Sequence, residues 1–201
     1  MKVYIYHNKY YWTIIKITKM EVQCGLQMSV NAIKKILINE LELRGITYNI
    51  SNDVAIRITA IIEYLVAEIM ELGGNVTLNK NRKRLSIDHV ILAIQTDSEL
   101  NKLYNSTNNI ISNKPKDETP RLSTWTCKIL TQIHPDTNIS RDAKRFIDKL
   151  VYDTVKKFSD MFPLNEKDIN INDMIDLVIP NELSKHAKNE MNKAIAKFNS
   201  K

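Results

Sequence analysis

The stretch NDVAIRITAIIEYLVAEIMELGGNVTLN, residues 52–79, sets the architecture of this chain. Its apolar residues recur at steps of three, four and one, which is the spacing of one face of an α-helix. These residues are Val54, Ile58, Ile61, Ile62, Leu65, Ile69 and Leu72. At about 1.5 Å per residue such a helix spans roughly 40 Å. A helix of this length needs a second structural unit to cover its apolar stripe.

Shorter helical patterns flank this stretch on both sides. Ser29 is placed to cap one helix before it, and Ser86 to cap one after it. The apolar residues of these two helices are Val30, Ile33, Ile36, Leu37, Val90, Ile91, Ala93 and Ile94. Asp97 is placed to cap one further turn, ELNKLY. Residues 1–23 instead alternate and are rich in aromatic side chains, which predicts a hairpin or an extended arm.

The same order of elements repeats in the second half of the chain. A short helix marked by Trp125 ends at His134-Pro135, and Ser140 then caps a long amphipathic helix that Pro163 ends. The segment ININDMIDLVI predicts a strand-like step and a short helix, and residues 181–198 predict a final amphipathic helix.

This repetition predicts an all-α fold built from two paired units. A polar stretch with two prolines, residues 105–120, is the best linker candidate. The predicted parts are an N-terminal arm at 1–23, a first unit at 24–104, the linker at 105–120 and a second unit at 121–201. Each unit contains helices in the order short, long, short and carries an extra C-terminal helix. Covalent linkage gives one unit a high effective concentration for the other.

The composition excludes several classes of protein. The 201 residues are 43% hydrophobic and 26% charged, which is typical of a folded globular chain. Four Gly and five Pro disfavour an all-β protein and a Gly-rich phosphate loop. No apolar run reaches the roughly 18–20 residues of a membrane helix, and no secretory signal is recognisable, so we expect no membrane partner and no secretion. Two cysteines, Cys24 and Cys127, favour a reducing compartment.

The charge favours a polyanionic partner without a basic tail. The formal net charge is +6, and it is evenly divided, since residues 1–113 carry 13 basic and 10 acidic side chains and residues 114–201 carry 16 and 13. A polyanion must therefore be bound by particular residues.

The sequence does not favour an enzyme. The histidines are His7, His89, His134 and His186, and none has a metal-ligand or nucleophile–base spacing with either cysteine. We therefore expect no catalytic residues, no metal and no cofactor.

Five segments resemble the core histones. GLQMSV (25–30), IIEYLVAEIMELGGN (61–75) and LAIQTDSELNKL (92–103) resemble histone 2A. QIHPDTNIS (132–140) and PNELSKHAKNE (180–190) resemble histone 2B. The order of the matches is similar to that of the histone doublets encoded by some giant DNA viruses.

The resemblance implies two histone folds paired head to tail in one chain. It further implies non-specific binding of duplex DNA and its packaging into nucleosome-like particles with a histone 3/4-like doublet or with histones. A virion, a viral factory or a host nucleus is the implied location.

The resemblance also implies which residues bind DNA. Histones neutralise phosphates with basic side chains and helix N-termini and insert arginines into the minor groove. Arg84 matches such an arginine, whereas Asn49 stands where the first loop of the family has another, and Arg44 is its nearest substitute. The full set of expected DNA-binding residues is Arg82, Lys83, Arg84, Lys35, Arg44, Lys128, Ser140 and Arg141.

Seven carboxylates match the acidic patch of the family. They are Glu63, Glu68, Glu71, Asp97, Glu99, Glu182 and Glu190. Ser98 departs from the pattern, since an acid is expected there. If the two units pair, these side chains converge, and crowded like charges favour a cationic ligand such as an arginine-anchored peptide.

Two other functions fit the same residues. One is a histone-fold transcription factor pair that reads a particular DNA sequence, and the other is a histone-mimic decoy that binds host chromatin factors. Non-specific, salt-dependent DNA binding favours packaging, sequence preference favours the factor, and a failure to bind DNA favours the decoy.

Overall fold

The computed structural model describes residues 19–47, 49–105 and 122–200. This part of the chain contains nine α-helices, two short strands and one 3-10 turn. In chain order the elements are α1 (Lys19–Cys24), α2 (Val30–Leu43), α3 (Asn52–Asn79), β1 (Arg84–Leu85), α4 (Ile87–Thr96), α5 (Ser98–Asn105), α6 (Ser123–Ile133), β2 (Asn138–Ile139), α7 (Arg141–Met161), the 3-10 turn (Glu166–Asp168), α8 (Ile171–Val178) and α9 (Asn181–Asn199).

The long helix α3 has the bounds that the sequence predicts. Ser51 caps it, since its side chain accepts a hydrogen bond from the Val54 amide at 3.2 Å. Two buried threonines within α3, Thr59 and Thr77, donate their hydroxyls to the carbonyls four residues earlier, so no polar group is left unpaired on these buried turns.

The predicted caps Ser29, Ser140 and Asp97 are also confirmed, whereas at the start of α4 the Ser86 amide donates to His89 Nδ1 at 3.5 Å. The Ser29 side chain accepts from the Ala32 amide at 3.4 Å, and the Ser140 side chain accepts from the Ala143 amide at 3.1 Å. Asp97 caps α5 through the amides of Glu99 and Leu100, at 3.0 and 2.7 Å. Helix α7 ends at Met161, two residues before Pro163, because a proline disfavours helical backbone in the residue before it.

The N-terminal segment differs from its prediction. Residues 19–24 form helix α1, where the sequence predicted a hairpin or an extended arm over 1–23. The buried Glu21 carboxylate explains the difference, since it accepts from the Val30 amide at 2.8 Å and from the Ser29 hydroxyl at 3.1 Å, and so fixes α1 against the start of α2. Residues 1–18, which include His7, lie outside the described residues.

A second difference lies before α8. The sequence predicted a strand-like step in ININDMIDLVI, but Ile169 and Asn170 form no strand and α8 begins at Ile171. Asn170 instead caps α8, since its side chain accepts from the Asn172 amide at 3.1 Å. An isolated extended segment without a neighbouring strand gains no ladder of hydrogen bonds. The predicted linker, 105–120, lies almost entirely outside the described residues.

The two halves of the chain share one hydrophobic core. Helix α3 packs against α4 of its own half and against α6, α7 and α9 of the other, and α2 packs against α7. Side chains from both halves are fully buried in this core, for example Ile61 and Leu65 on α3 and Phe146 and Phe158 on α7. The apolar stripe of α3 is therefore covered mainly by the other half of the chain.

One short parallel strand pair joins the halves at one end of the long helices. β1 pairs with β2, with Arg84 opposite Asn138 and Leu85 opposite Ile139. The Asn138 amide donates to the Lys83 carbonyl and the Ser140 amide to the Leu85 carbonyl, both at 2.9 Å. No helix within the described ranges combines the length and apolar character needed to cross a bilayer.

Candidate nucleic-acid interface and acidic surface

Five of the predicted DNA-binding residues lie together at the β1–β2 pair. We call Arg82, Lys83, Arg84, Ser140 and Arg141 the basic junction. Because Arg84 lies opposite Asn138, the basic loop after α3 runs directly beside the N-terminus of α7. The four cationic residues of the junction are exposed.

A turn with one left-handed residue at the end of α3 sets the direction of the basic loop that follows this helix. Asn81 has a φ of +53°, the only non-glycine residue with a positive φ in the described part of the chain, and asparagine tolerates this region better than most residues. The turn is closed by hydrogen bonds from the Asn81 amide to the Leu78 carbonyl and from the Arg82 amide to the Thr77 carbonyl, at 2.8 and 3.0 Å. The next three residues, all basic, lead from this turn into β1, which pairs with β2 just before α7. The apolar spacing of α3 gives no indication of Asn81, although an asparagine just after a helix is a recognised signal of such a turn.

The N-terminus of α7 completes the basic junction. Unpaired amides and the helix dipole make such an end attractive to anions. Arg141 adds a positive charge, and the exposed Asp142 offsets part of it. The Ser140 hydroxyl is already occupied as the acceptor of the cap, so it offers an incoming phosphate its donor function.

The other three predicted DNA-binding residues lie on other elements. Lys35 is exposed on α2 and Lys128 is exposed on α6. Arg44 follows α2 and donates a hydrogen bond from Nη1 to the carbonyl of Ser159, in the last turn of α7. Asn49 is exposed and uncharged. The Arg44 side chain thus makes a contact between the halves, where the sequence predicted a contact with DNA.

Five of the seven predicted acidic-patch residues lie close to one another. We call Glu68, Glu71, Asp97, Glu99 and Glu182 the acidic cluster, which spans both halves of the chain. Burial, followed by the charges of Glu71 and Asp97, raises the pKa of Glu68, while His186 and a hydrogen bond from Tyr64 lower it. Burial and the charges of Glu68, Glu99 and Asp97 likewise raise the pKa of Tyr64.

Several of these carboxylates already have partners. Glu99 accepts from the amides of Glu182 and Leu183, at 3.2 and 2.7 Å, and so caps helix α9. Glu182 is paired with Lys185 at 2.6 Å, which lowers the pKa of Glu182. Glu71 is exposed, and its carboxylate has no ion pair or hydrogen bond to any described residue. Glu71, with Glu68 beside it, is therefore the part of the cluster most open to a cationic ligand.

The remaining two predicted acids lie elsewhere, against a cavity between α1, α3 and α9. Glu63 and Glu190 line this cavity of about 180 Å³. One oxygen of Glu63, Oε2, accepts from the amides of Gln27 and Met28, at 2.8 and 2.7 Å. Burial raises the pKa of Glu63, although these two hydrogen bonds counteract it. Glu190 is paired with Lys193 at 2.6 Å. The structure thus divides the predicted patch into an open cluster and a partly enclosed pair.

The described histidines take part in packing and hydrogen bonds. His89 Nδ1 lies 2.9 Å from the Thr77 hydroxyl, His134 Nε2 lies 3.1 Å from the Glu71 carbonyl, and the His186 ring lies 6.3 Å from the Tyr64 ring. Within the described ranges no three His, Cys, Asp or Glu side chains are grouped to hold a metal ion. Cys24 and Cys127 are free thiols.

Comparison with known proteins gives similarity to histones of the 2A type. The chain is 34% identical over 90 residues to histone 2A.Z of Lodderomyces elongisporus, which covers 45% of this chain and 65% of that protein. It is 35% identical over 85 residues to histone 2A.1 of Tetrahymena thermophila and 39% identical over 85 residues to histone 2A.Z of Saccharomyces cerevisiae, and each match covers 42% of this chain and 61% of the relative.

These matches span less than two thirds of the relatives' own length. No family model matches the chain, and no solved structure matches it. The similarity, together with the all-α architecture, indicates a histone-fold region like that of histone 2A in just under half of the chain.

Proposed function

We propose that this chain is a histone doublet, with a 2A-like and a 2B-like histone fold paired head to tail, that binds duplex DNA and packages it. The similarity to 2A.Z histones supports the 2A-like fold and a histone type of DNA packaging. The second fold is supported by the repeated order of short, long and short helices and by their packing against the first half.

The observation that carries the proposal is the β1–β2 pair. Through it, three consecutive basic residues of the first half meet the N-terminus of the long helix of the second half. A basic segment beside a helix N-terminus suits the phosphates of a nucleic-acid backbone. Phosphate contacts do not read bases, so this geometry favours non-specific packaging over sequence recognition.

We propose a histone 3/4-like doublet, or histones, as the protein partner. Large apolar side chains are exposed near the end of α7 and on α8, at Met161, Leu164 and Leu177. They are 41%, 86% and 73% exposed, respectively. Met161 and Leu164 are three residues apart at the end of α7, and an exposed apolar patch favours a protein contact. We propose the acidic cluster as the site for arginine-anchored ligands. The proposed location of the protein is chromatin, in a nucleus, a viral factory or a virion.

The decisive experiment combines DNA binding with reconstitution. The wild-type chain is titrated against random and defined duplexes at several salt concentrations, and it is then reconstituted with a histone 3/4 pair on duplex DNA and digested with nuclease. We expect affinity independent of sequence, a steep dependence on salt, and protected DNA fragments of defined length.

Arg84→Ala tests the basic junction within the same titration. We expect weaker binding to every duplex and a salt slope shallower by about one, since one phosphate contact is lost. Lys102→Ala is the control, because it also removes an exposed positive charge. Lys102 lies on α5, which packs against α4 and α9 and lies outside the basic junction. Equal effects of the two substitutions would contradict the assigned interface. A strong preference for one sequence, or no binding at all, would instead support the transcription factor or the decoy.

A further inference from the structure

The two ends of the paired long helices are built differently. At one end, β1 and β2 join the loop after α3 to the loop before α7. At the other end, the segment between α2 and α3 faces the end of α7, and its described residues, 44–47 and 49–51, form no strand with residues 162–170. A side chain makes the connection there instead, since Arg44 donates to the carbonyl of Ser159.

Arg44 is well placed for this contact. Its own backbone closes the end of α2, with its amide 3.0 Å from the Leu41 carbonyl, and Gly45 follows with a φ of +75°. The guanidinium therefore extends from a fixed turn to the C-terminal end of α7, where unpaired carbonyls and the helix dipole favour a cation. The same carbonyl also accepts from the Phe162 amide at 3.2 Å.

The charges of the two ends differ as well. Residues 80–86 carry four basic side chains and no acid. Residues 162–170 carry one base, Lys167, between the acids Glu166 and Asp168, and all three are exposed. Residues 44–51 carry Arg44 as their sole charge. Arg44 and Lys167 are balanced by Glu166 and Asp168, so the two segments at the second end carry no net charge, and the Arg44 guanidinium is held at the α7 carbonyl.

We propose that DNA is bound asymmetrically, at the basic junction and not at the Arg44 end, and that Arg44 is a clamp between the halves rather than a phosphate ligand. This inference rests on the proposed function for its DNA part only. The clamp itself is a property of the folded chain, and it can be tested without DNA.

The first test separates a clamp from a phosphate contact. For Arg44→Ala we expect a lower melting temperature and faster amide exchange at the end of α7, with the salt slope of DNA binding unchanged. For Arg84→Ala we expect the reverse, a slope reduced by about one and an unchanged melting temperature. A reduced salt slope for Arg44→Ala, or unchanged melting and exchange, would overturn the clamp.

The second test adds a positive charge at the Arg44 end of the paired helices. Asn49 is exposed two residues before the Ser51 cap of α3, a position comparable to the loop before Ser140. For Asn49→Arg we expect a salt slope steeper by about one and protection from hydroxyl radicals over a longer stretch of DNA. Asn192→Arg, the same change at an exposed position on α9, is the control.

The possible failures are distinguishable. If Asn49→Arg leaves the slope and the protected length unchanged, or if Asn192→Arg has an equal effect, the asymmetric binding is wrong. If the wild-type chain does not bind DNA, the proposed function fails, while melting and exchange of Arg44→Ala still decide whether Arg44 is a clamp.

Discussion

The ring of His134 occupies space beside α3 that a larger side chain at residue 74 would need. A Cβ built on Gly74 would lie 2.0 Å from Cδ2 and 2.2 Å from Nε2 of His134. The ring can therefore approach α3 closely enough for Nε2 to reach the Glu71 carbonyl at 3.1 Å. A glycine inside a helix ordinarily lowers helix stability by about 1 kcal/mol relative to alanine. Gly74 therefore makes the contact between the halves possible at the expense of local helix stability.

Gly74→Ala should therefore destabilise the protein although alanine is the better helix former. We expect a loss of about 1–3 kcal/mol in the free energy of unfolding, because either the ring or the helix must move. Denaturant unfolding measures it. In a His134→Ala background the same substitution should be neutral or stabilising by up to about 1 kcal/mol. An equal loss in both backgrounds would show that the histidine is not the cause.

At the scale of elements, helix ends are stabilised by the opposite half of the chain. Glu99, at the start of α5, accepts from two amides at the N-terminus of α9. In the other direction, the Lys157 ammonium on α7 donates to the Leu103 carbonyl near the end of α5. The neighbouring Tyr104 hydroxyl lies 3.2 Å from the hydroxyl of Thr154 on α7, and burial raises the pKa of Tyr104 to about 12. Such contacts fix the position of each helix relative to its neighbours, because a terminus can be capped in one register only.

Glu99→Ala should lower the stability of the chain by about 0.5–2 kcal/mol, the usual value of an N-cap contact. Glu99→Gln keeps one acceptor oxygen and removes the charge, so its loss should be smaller. Thermal unfolding ranks the two variants, and amide exchange at residues 182 and 183 locates the effect. If exchange there is unchanged in Glu99→Ala, the capping role is wrong.

At the scale of the whole molecule, the two halves together create surfaces of opposite sign. The basic junction combines the loop after α3 with the start of α7, and the acidic cluster combines α3 and the start of α5 with α9. The net charge of +6 does not show how the two signs of charge are distributed over the surface. In the proposed function, this separation is what lets an anionic and a cationic partner bind at once.

Glu71→Ala should weaken the binding of a short peptide with a single arginine by about tenfold, the value of one charged hydrogen bond. Calorimetric titration measures the affinity. Glu42→Ala, which removes an exposed carboxylate on α2 outside the cluster, is the control and should have little effect. Unchanged affinity for Glu71→Ala would refute the site.

The pH dependence of this binding provides a second measure. Burial, Glu71 and Asp97 raise the pKa of Glu68 above the ordinary 4.5, against the opposing effects of His186 and Tyr64. A cationic ligand needs the ionised carboxylate, so affinity should be full near neutral pH. It should decline as the pH falls, starting at a higher pH than the titration of an exposed glutamate. In Glu68→Gln the decline should move to lower pH, and an unchanged profile would exclude Glu68 from the site.

The sequence by itself determined the helices from α2 onward, because their signals are local, but not α1, which depends on the contact of Glu21 with the start of α2. The bounds of the long helix, 52–79, and the serine caps at Ser29 and Ser140 follow from apolar spacing and from side chains within three residues of the amides that they cap. Only the tertiary structure decided which charged residues stay available for a partner. Glu63, Glu99 and Arg44 bind main-chain groups 36, 84 and 115 residues away, at Gln27, Leu183 and Ser159. No local pattern signals such contacts, because a carboxylate or a guanidinium looks the same in the sequence whether it faces solvent or the end of a distant helix.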